Sequence, residues 1–153
     1  MQEYLFRTLQ DSTRPVIQVG EHLTAVIDTG ADIPVCSDAK MLVSKYGAVE
    51  IKLPRENKRP RGIGGKIPGK VYMVKSFTVG PLTYPNIKFF VPDHPTMDDN
   101  FLFSASMFEG MILEIDLKNH YFKITLPDDE QNVRLVSFDK DGEHICWDVR
   151  KTD

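Results

Sequence analysis

The sequence predicts an all-β fold on three observations. Short apolar runs are broken repeatedly by Gly and Pro, each present ten times. Helical periodicity is scarce, and turn residues sit between most of the runs. Residues 15–19 and 23–27 read as strands around a Gly20-Glu21 connection. Residues 38–46 read as a helix, capped by Ser37 and closed by Gly47. A strand follows at 49–53, then two longer ones at 69–79 and 82–91. Residues 106–109 form a short helical turn before Gly110. Strands at 111–117 and 121–126 flank Lys118-Asn119, where Asn119 suits the left-handed conformation of a tight turn. After Pro127 the polar run Asp128-Asp129-Glu130 marks a break. Beyond it, 133–138 and 144–149 read as a hairpin around 139–142. The expected organisation is therefore a main domain over 1–127 and a C-terminal hairpin extension, 128–153, packed on the same domain.

Composition narrows the function classes. A chain of 153 residues with 41% hydrophobic residues and a formal charge of -3 is long enough for one domain with a substantial core. Its charge gives no overall bias toward nucleic acid or an anionic membrane. No apolar stretch is long enough to span a bilayer, and the first residues lack signal-peptide character, so a cytoplasmic location is expected. Cys36 and Cys146 have no CxxC spacing, which leaves buried free thiols as the expectation.

The chemistry is concentrated in Asp28-Thr29-Gly30-Ala31, which follows the apolar run Ala25-Val26-Ile27 and occurs once. A strand delivering a carboxylate into a tight Gly turn holds an acid rigidly. Water attack on a peptide bond, without a metal or a covalent intermediate, needs one group to accept a proton and another to give one. Two facing carboxylates sharing a proton do both, the case for which aspartic proteases are the standing example. No second Asp-Thr/Ser-Gly is present, because Asp11-Ser12-Thr13 lacks the Gly and Asp141-Gly142 lacks the hydroxyl residue. A catalytic Asp28 therefore needs a partner from a second copy of the chain. The plainer reading is an Asp that accepts hydrogen bonds within its own turn.

Residues 24–32 resemble the active-site strand and loop of retropepsin-like aspartic proteases, single-domain homodimers that include the retroviral proteases. Gly62-Ile63-Gly64-Gly65, followed by Lys66-Ile67-Pro68-Gly69, is similar to that family's glycine-rich flap. Residues 101–108, then 112–116, resemble the strand, short helix and strand that end its core. The likeness covers about residues 15–126, with the parts in the right order. It departs at Ser104, where the family usually has Gly after two apolar residues; Ser there suits a helix N-cap without a positive φ.

The resemblance implies a closed-barrel protomer with a flap hairpin and one or two short helices. It makes Asp28 the catalytic carboxylate. Thr29 would bond across the dimer axis, and Gly30 and Ala31 would leave room for substrate backbone. Asp32 would bind substrate main chain or pair with an Arg, for which Arg14 and Arg7 are candidates. Ile63, Gly64 and Gly65 would cover an extended peptide. The implied activity is that of an aspartic endopeptidase with no cofactor, metal, nucleic acid or membrane partner. The alternative is a retropepsin-like dimerisation or peptide-binding module without hydrolysis.

Other candidates are weaker. Lys52, Arg55, Lys58, Arg59 and Arg61 lack interleaved aromatics and read as a solvated loop. Asp93, His94, Asp98 and Asp99 match no EF-hand or zinc spacing and read as a polar loop. His144 and Cys146 lack an orienting third residue, while His22 and His120 lie near predicted turns and read as structural.

Overall fold

The computed structural model describes residues 2–52, 61–62, 65–127, 134–138 and 147–151. Its strands, in chain order, begin with β1 (Gln2–Arg7), β2 (Val16–Gly20), β3 (Leu23–Asp28) and β4 (Val35–Cys36). Helix α1 (Ala39–Tyr46) precedes β5 (Val49–Ile51), the two-residue strands β6 (Arg61–Gly62) and β7 (Gly65–Lys66), and the long strands β8 (Gly69–Val79) and β9 (Leu82–Pro92). β10 (Phe101–Ser104) runs into a 3₁₀ turn, Ala105–Phe108, followed by β11 (Ile112–Asp116) and β12 (Tyr121–Leu126). Last come β13 (Arg134–Phe138) and β14 (Trp147–Lys151).

A seven-stranded sheet in the order β2-β3-β10-β4-β9-β8-β5 carries the fold, and β1-β12-β11 form a second sheet. The two are linked by a bridge between Thr8 and Ile17. The closed barrel is not found. Closure requires the first and last strands to pair, but β2 and β5 stand at opposite ends of the sheet order. The mainly β class holds, and α1 is the single α-helix among the described residues.

The core explains this arrangement. Along β3, Leu23, Ala25 and Ile27 are buried on alternate positions, and β10 places Phe101 beside Ala25 and Phe103 beside Ile27 in a parallel pair. Phe77 of β8, Phe89 of β9, Phe101 and Phe103 pack with ring centroids 5.1–6.0 Å apart. Fully burying each such ring contributes about 2–3 kcal/mol. The parallel pairing of β3 and β10 also sets Ser104 opposite Asp28, so the aromatic core beneath the sheet fixes the row that carries the acid.

Several local expectations need correction. The N-cap of α1 is Asp38, whose Oδ1 accepts the Met41 N–H at 3.1 Å, because the Ser37 hydroxyl is engaged elsewhere, donating to the Asp99 carbonyl at 2.9 Å. Gly47 closes the helix in the left-handed conformation at φ 65°. In the β11–β12 connection the left-handed residue is His120 rather than Asn119. Asn119 instead donates both its backbone and side-chain N–H groups to Asp116, and these bonds hold that carboxyl below its usual range. His22 takes the same role in the β2–β3 turn, with φ 60°. The tail hairpin pairs Phe138 with Trp147 and Arg134 with Lys151, and β13 lies against β9. Its expected turn at 139–142, together with Leu53, Val133, His144, Cys146 and the basic residues Arg55, Lys58 and Arg59, lies outside the described residues. No described helix is long and apolar enough to cross a membrane.

Candidate active site

Asp28 is the last residue of β3, half-buried where the strand leaves the sheet. Its Oδ1 accepts the Gly30 N–H at 3.0 Å and its carbonyl accepts the Ala31 N–H at 3.1 Å. The first bond is the local turn contact that a plain structural Asp would make. It also fixes the carboxylate plane, and among the described residues nothing bonds to Oδ2. A Cβ at Gly30 would reach only ordinary contact distance, 3.4 Å, from Asp28 Oδ1.

The loop after Asp28 is open to solvent at Thr29, Gly30 and Asp32, while Ala31 is half-buried and Ile33 is buried in the core. Three bonds from other elements hold the loop, and a fourth holds the end of β3 that feeds it. The Ile27 N–H donates to the Pro15 carbonyl at 2.9 Å, and the Phe90 N–H to the Pro34 carbonyl at 3.1 Å. From the other side the Ala105 N–H reaches the Ala31 carbonyl at 3.2 Å, and the Ser106 hydroxyl reaches the Asp32 carbonyl at 2.9 Å. An exposed tip on a braced base can present both carboxylate and backbone to a ligand without rearranging. The 3₁₀ turn below is itself tied down by the Tyr84 hydroxyl, which donates to the Met107 carbonyl.

Not every expected residue joins this group. Arg14 does not pair with Asp32; its Nη2 donates to Asp99 Oδ2 at 2.9 Å, and Arg7 makes no ion pair among the described residues. Among the described residues neither the Asp32 side chain nor the Thr29 hydroxyl has a partner. Gly62 and Gly65 face each other in the β6–β7 antiparallel ladder, while Ile63 and Gly64 lie outside the described residues. Ser104 has extended backbone at φ -84°, so no positive φ is needed, but its side chain does not cap the 3₁₀ turn. It pairs with Ser106 instead, Oγ to Oγ at 2.6 Å.

Sequence reasoning read Asp99 as part of a polar loop and gave Asn100 no role. Asp99 is buried and accepts from Thr24 Oγ1 at 3.0 Å as well as from Arg14, while Asn100 Oδ1 accepts the Thr24 N–H at 3.0 Å. The two residues clamp the start of β3 to the start of β10, the strands whose far ends carry Asp28 and Ser104. The signal was an acidic-amide pair directly before an apolar run, and its meaning appears only when partners 85 and 75 residues away converge. Cys36 is buried as expected, and burial pushes its thiol up to about 11. Among the described residues no group of three His, Cys, Asp or Glu side chains is placed to hold a metal ion.

Residues 15–105 match the family model described as aspartyl protease, a segment that takes in β2 to β10, the Asp28 loop and the β6–β7 ladder. No curated protein and no solved structure matched the chain.

Proposed function

Because this chain belongs to the aspartyl protease family, we propose that it is an aspartic endopeptidase whose active site forms when two copies bring their Asp28 side chains together at a two-fold axis. The observation that carries the reading is the geometry of Asp28. One oxygen is locked by the Gly30 N–H at 3.0 Å and the other has no described partner, at the open edge of a braced loop. A single protomer supplies one such carboxylate, and the chemistry needs two.

In the dimer one Asp28 is ionised and the other protonated. The ionised carboxylate takes a proton from a water held between them, and the oxygen of that water forms a bond to the scissile carbonyl carbon. The protonated Asp28 gives its proton to the carbonyl oxygen, producing a neutral gem-diol. Collapse returns a proton through the pair to the leaving nitrogen, breaks the C–N bond and restores the singly protonated dyad. Thr29, exposed and without a partner among the described residues, is suited to bonding across the axis. Ala31 and Asp32 offer backbone and carboxylate to an extended substrate, and the Gly62–Gly65 ladder is suited to closing over it.

The test is to incubate the purified chain with a mixed peptide library across pH beside Asp28→Asn. Cuts present in wild type and absent from the variant support the reading. No cleavage by either protein would leave a peptide-binding or dimerisation module, and identical cuts by both would rule out Asp28 as the catalytic carboxylate.

A further inference from the structure

The proposed chemistry leaves the two serines beneath the Asp28 loop without a role. Ser104 ends β10 opposite Asp28 and is fully buried, whereas Ser106 is half-buried. Their hydroxyl oxygens lie 2.6 Å apart, and Ser106 Oγ donates to the Asp32 carbonyl at 2.9 Å. A serine hydroxyl has one proton to give. That of Ser106 is committed to Asp32, so the proton between the two serines belongs to Ser104. The relay therefore has one direction, Ser104 to Ser106 to the Asp32 carbonyl. Donation into Ser106 polarises its own O–H and strengthens the outer bond. One residue back, the Ala105 N–H holds the Ala31 carbonyl at 3.2 Å, so two consecutive loop carbonyls are fixed from below.

We propose that Ser104 and Ser106 are positioning residues for substrate binding, a directed hydroxyl relay that sets the height and tilt of the backbone at Ala31 and Asp32 against an extended peptide. The inference rests on the endopeptidase reading. Neither serine touches the reacting atoms; both act through the Asp32 carbonyl.

The direction of the relay separates this role from general support of the fold. Removing the Ser106 hydroxyl strands the Ser104 donor in a buried place, which costs its full desolvation. Removing Ser104 strands only a lone pair on half-buried Ser106, which water can reach. Deleting both removes the stranded donor but leaves the Asp32 carbonyl unheld. Stability and substrate affinity must therefore rank the variants differently.

The experiment measures thermal midpoints and steady-state kinetics, on a peptide that wild type cleaves, for Ser104→Ala, Ser106→Ala, the double variant and Ser106→Thr. The midpoint should be lowest in Ser106→Ala and partly restored in the double variant. KM should rise about two- to tenfold in both of these, the loss expected of one hydrogen bond, with kcat within about a factor of two. Ser106→Thr, which keeps the hydroxyl, should return KM toward wild type. If Ser106→Ala does not fold, the double variant and Ser106→Thr carry the comparison. An unchanged KM in the double variant, or a KM that simply follows the midpoint, overturns the proposal. Wild-type protein without Asp28-dependent cleavage overturns it together with the endopeptidase reading. That outcome is distinct, because failure of the relay alone leaves wild-type cleavage intact.

Discussion

Replacing Asp99 with Ala removes a buried carboxylate that bonds Thr24 Oγ1 at 3.0 Å and Arg14 Nη2 at 2.9 Å. The Thr24 bond has a charged acceptor and contributes about 1.5–3 kcal/mol. The Arg14 side chain is 52% exposed, and its guanidinium can return to water when the partner is lost. That pair therefore adds only about 0–1 kcal/mol. Together the loss is about 1.5–4 kcal/mol, which for a domain of this size lowers the thermal midpoint by about 3–16 °C. Asp99→Asn keeps an acceptor for Thr24 and loses the charge, so it should cost about 1 kcal/mol. Thermal and urea unfolding followed by circular dichroism measure both. Asp99→Ala within about 0.5 kcal/mol of wild type, the range of an ordinary surface change, would refute the assignment of Asp99 as the clamp between β3 and β10.

Gly69 opens β8, and a Cβ there would meet Phe90 Cζ at 2.4 Å and the Val91 carbonyl at 2.5 Å. Gly69→Ala should therefore destabilise by about 1–3 kcal/mol, as read by urea unfolding; a neutral result would mean that the β8–β9 ladder yields easily at this end. Cys36 should resist iodoacetamide at pH 8 in the folded protein and react on unfolding, as resolved by peptide mass spectrometry, because burial keeps its thiol protonated up to about 11. The unfolded thiol loses its proton near 9, so the folded state binds more protons between about 9 and about 11. Stability should fall as pH rises through that window, by up to about 3 kcal/mol; rapid labelling of native protein would contradict both statements.

The strand plan was legible because alternation and turn chemistry are local. Gly69–Val79 and Tyr121–Leu126 were bounded correctly by the residues that frame them. β1 was not foreseen, since only Phe6 of its six residues is buried and its partner β12 lies more than a hundred residues away. Barrel closure came with the family likeness rather than from any strand, and the actual sheet order did not follow it. Asp28 could be found by its motif because strand, acid and Gly turn are contiguous. The proposed partners of Asp32 could not be sorted the same way: Arg14 was drawn to Asp99, a longer-range and better buried acceptor. Ser104 looked like a cap by residue type, yet its hydroxyl goes to Ser106, a choice set by the three-dimensional position of the Asp32 carbonyl.

The central claim is that one active site takes one Asp28 from each of two copies. Wild type and Asp28→Asn should be mixed in equal amounts, allowed to exchange subunits, and assayed at constant total protein. Random pairing leaves a quarter of the dimers with two intact carboxylates, so activity should fall to about one quarter of the pure wild-type value. Activity of about one half would mean that each copy works by itself, and the shared site would be wrong.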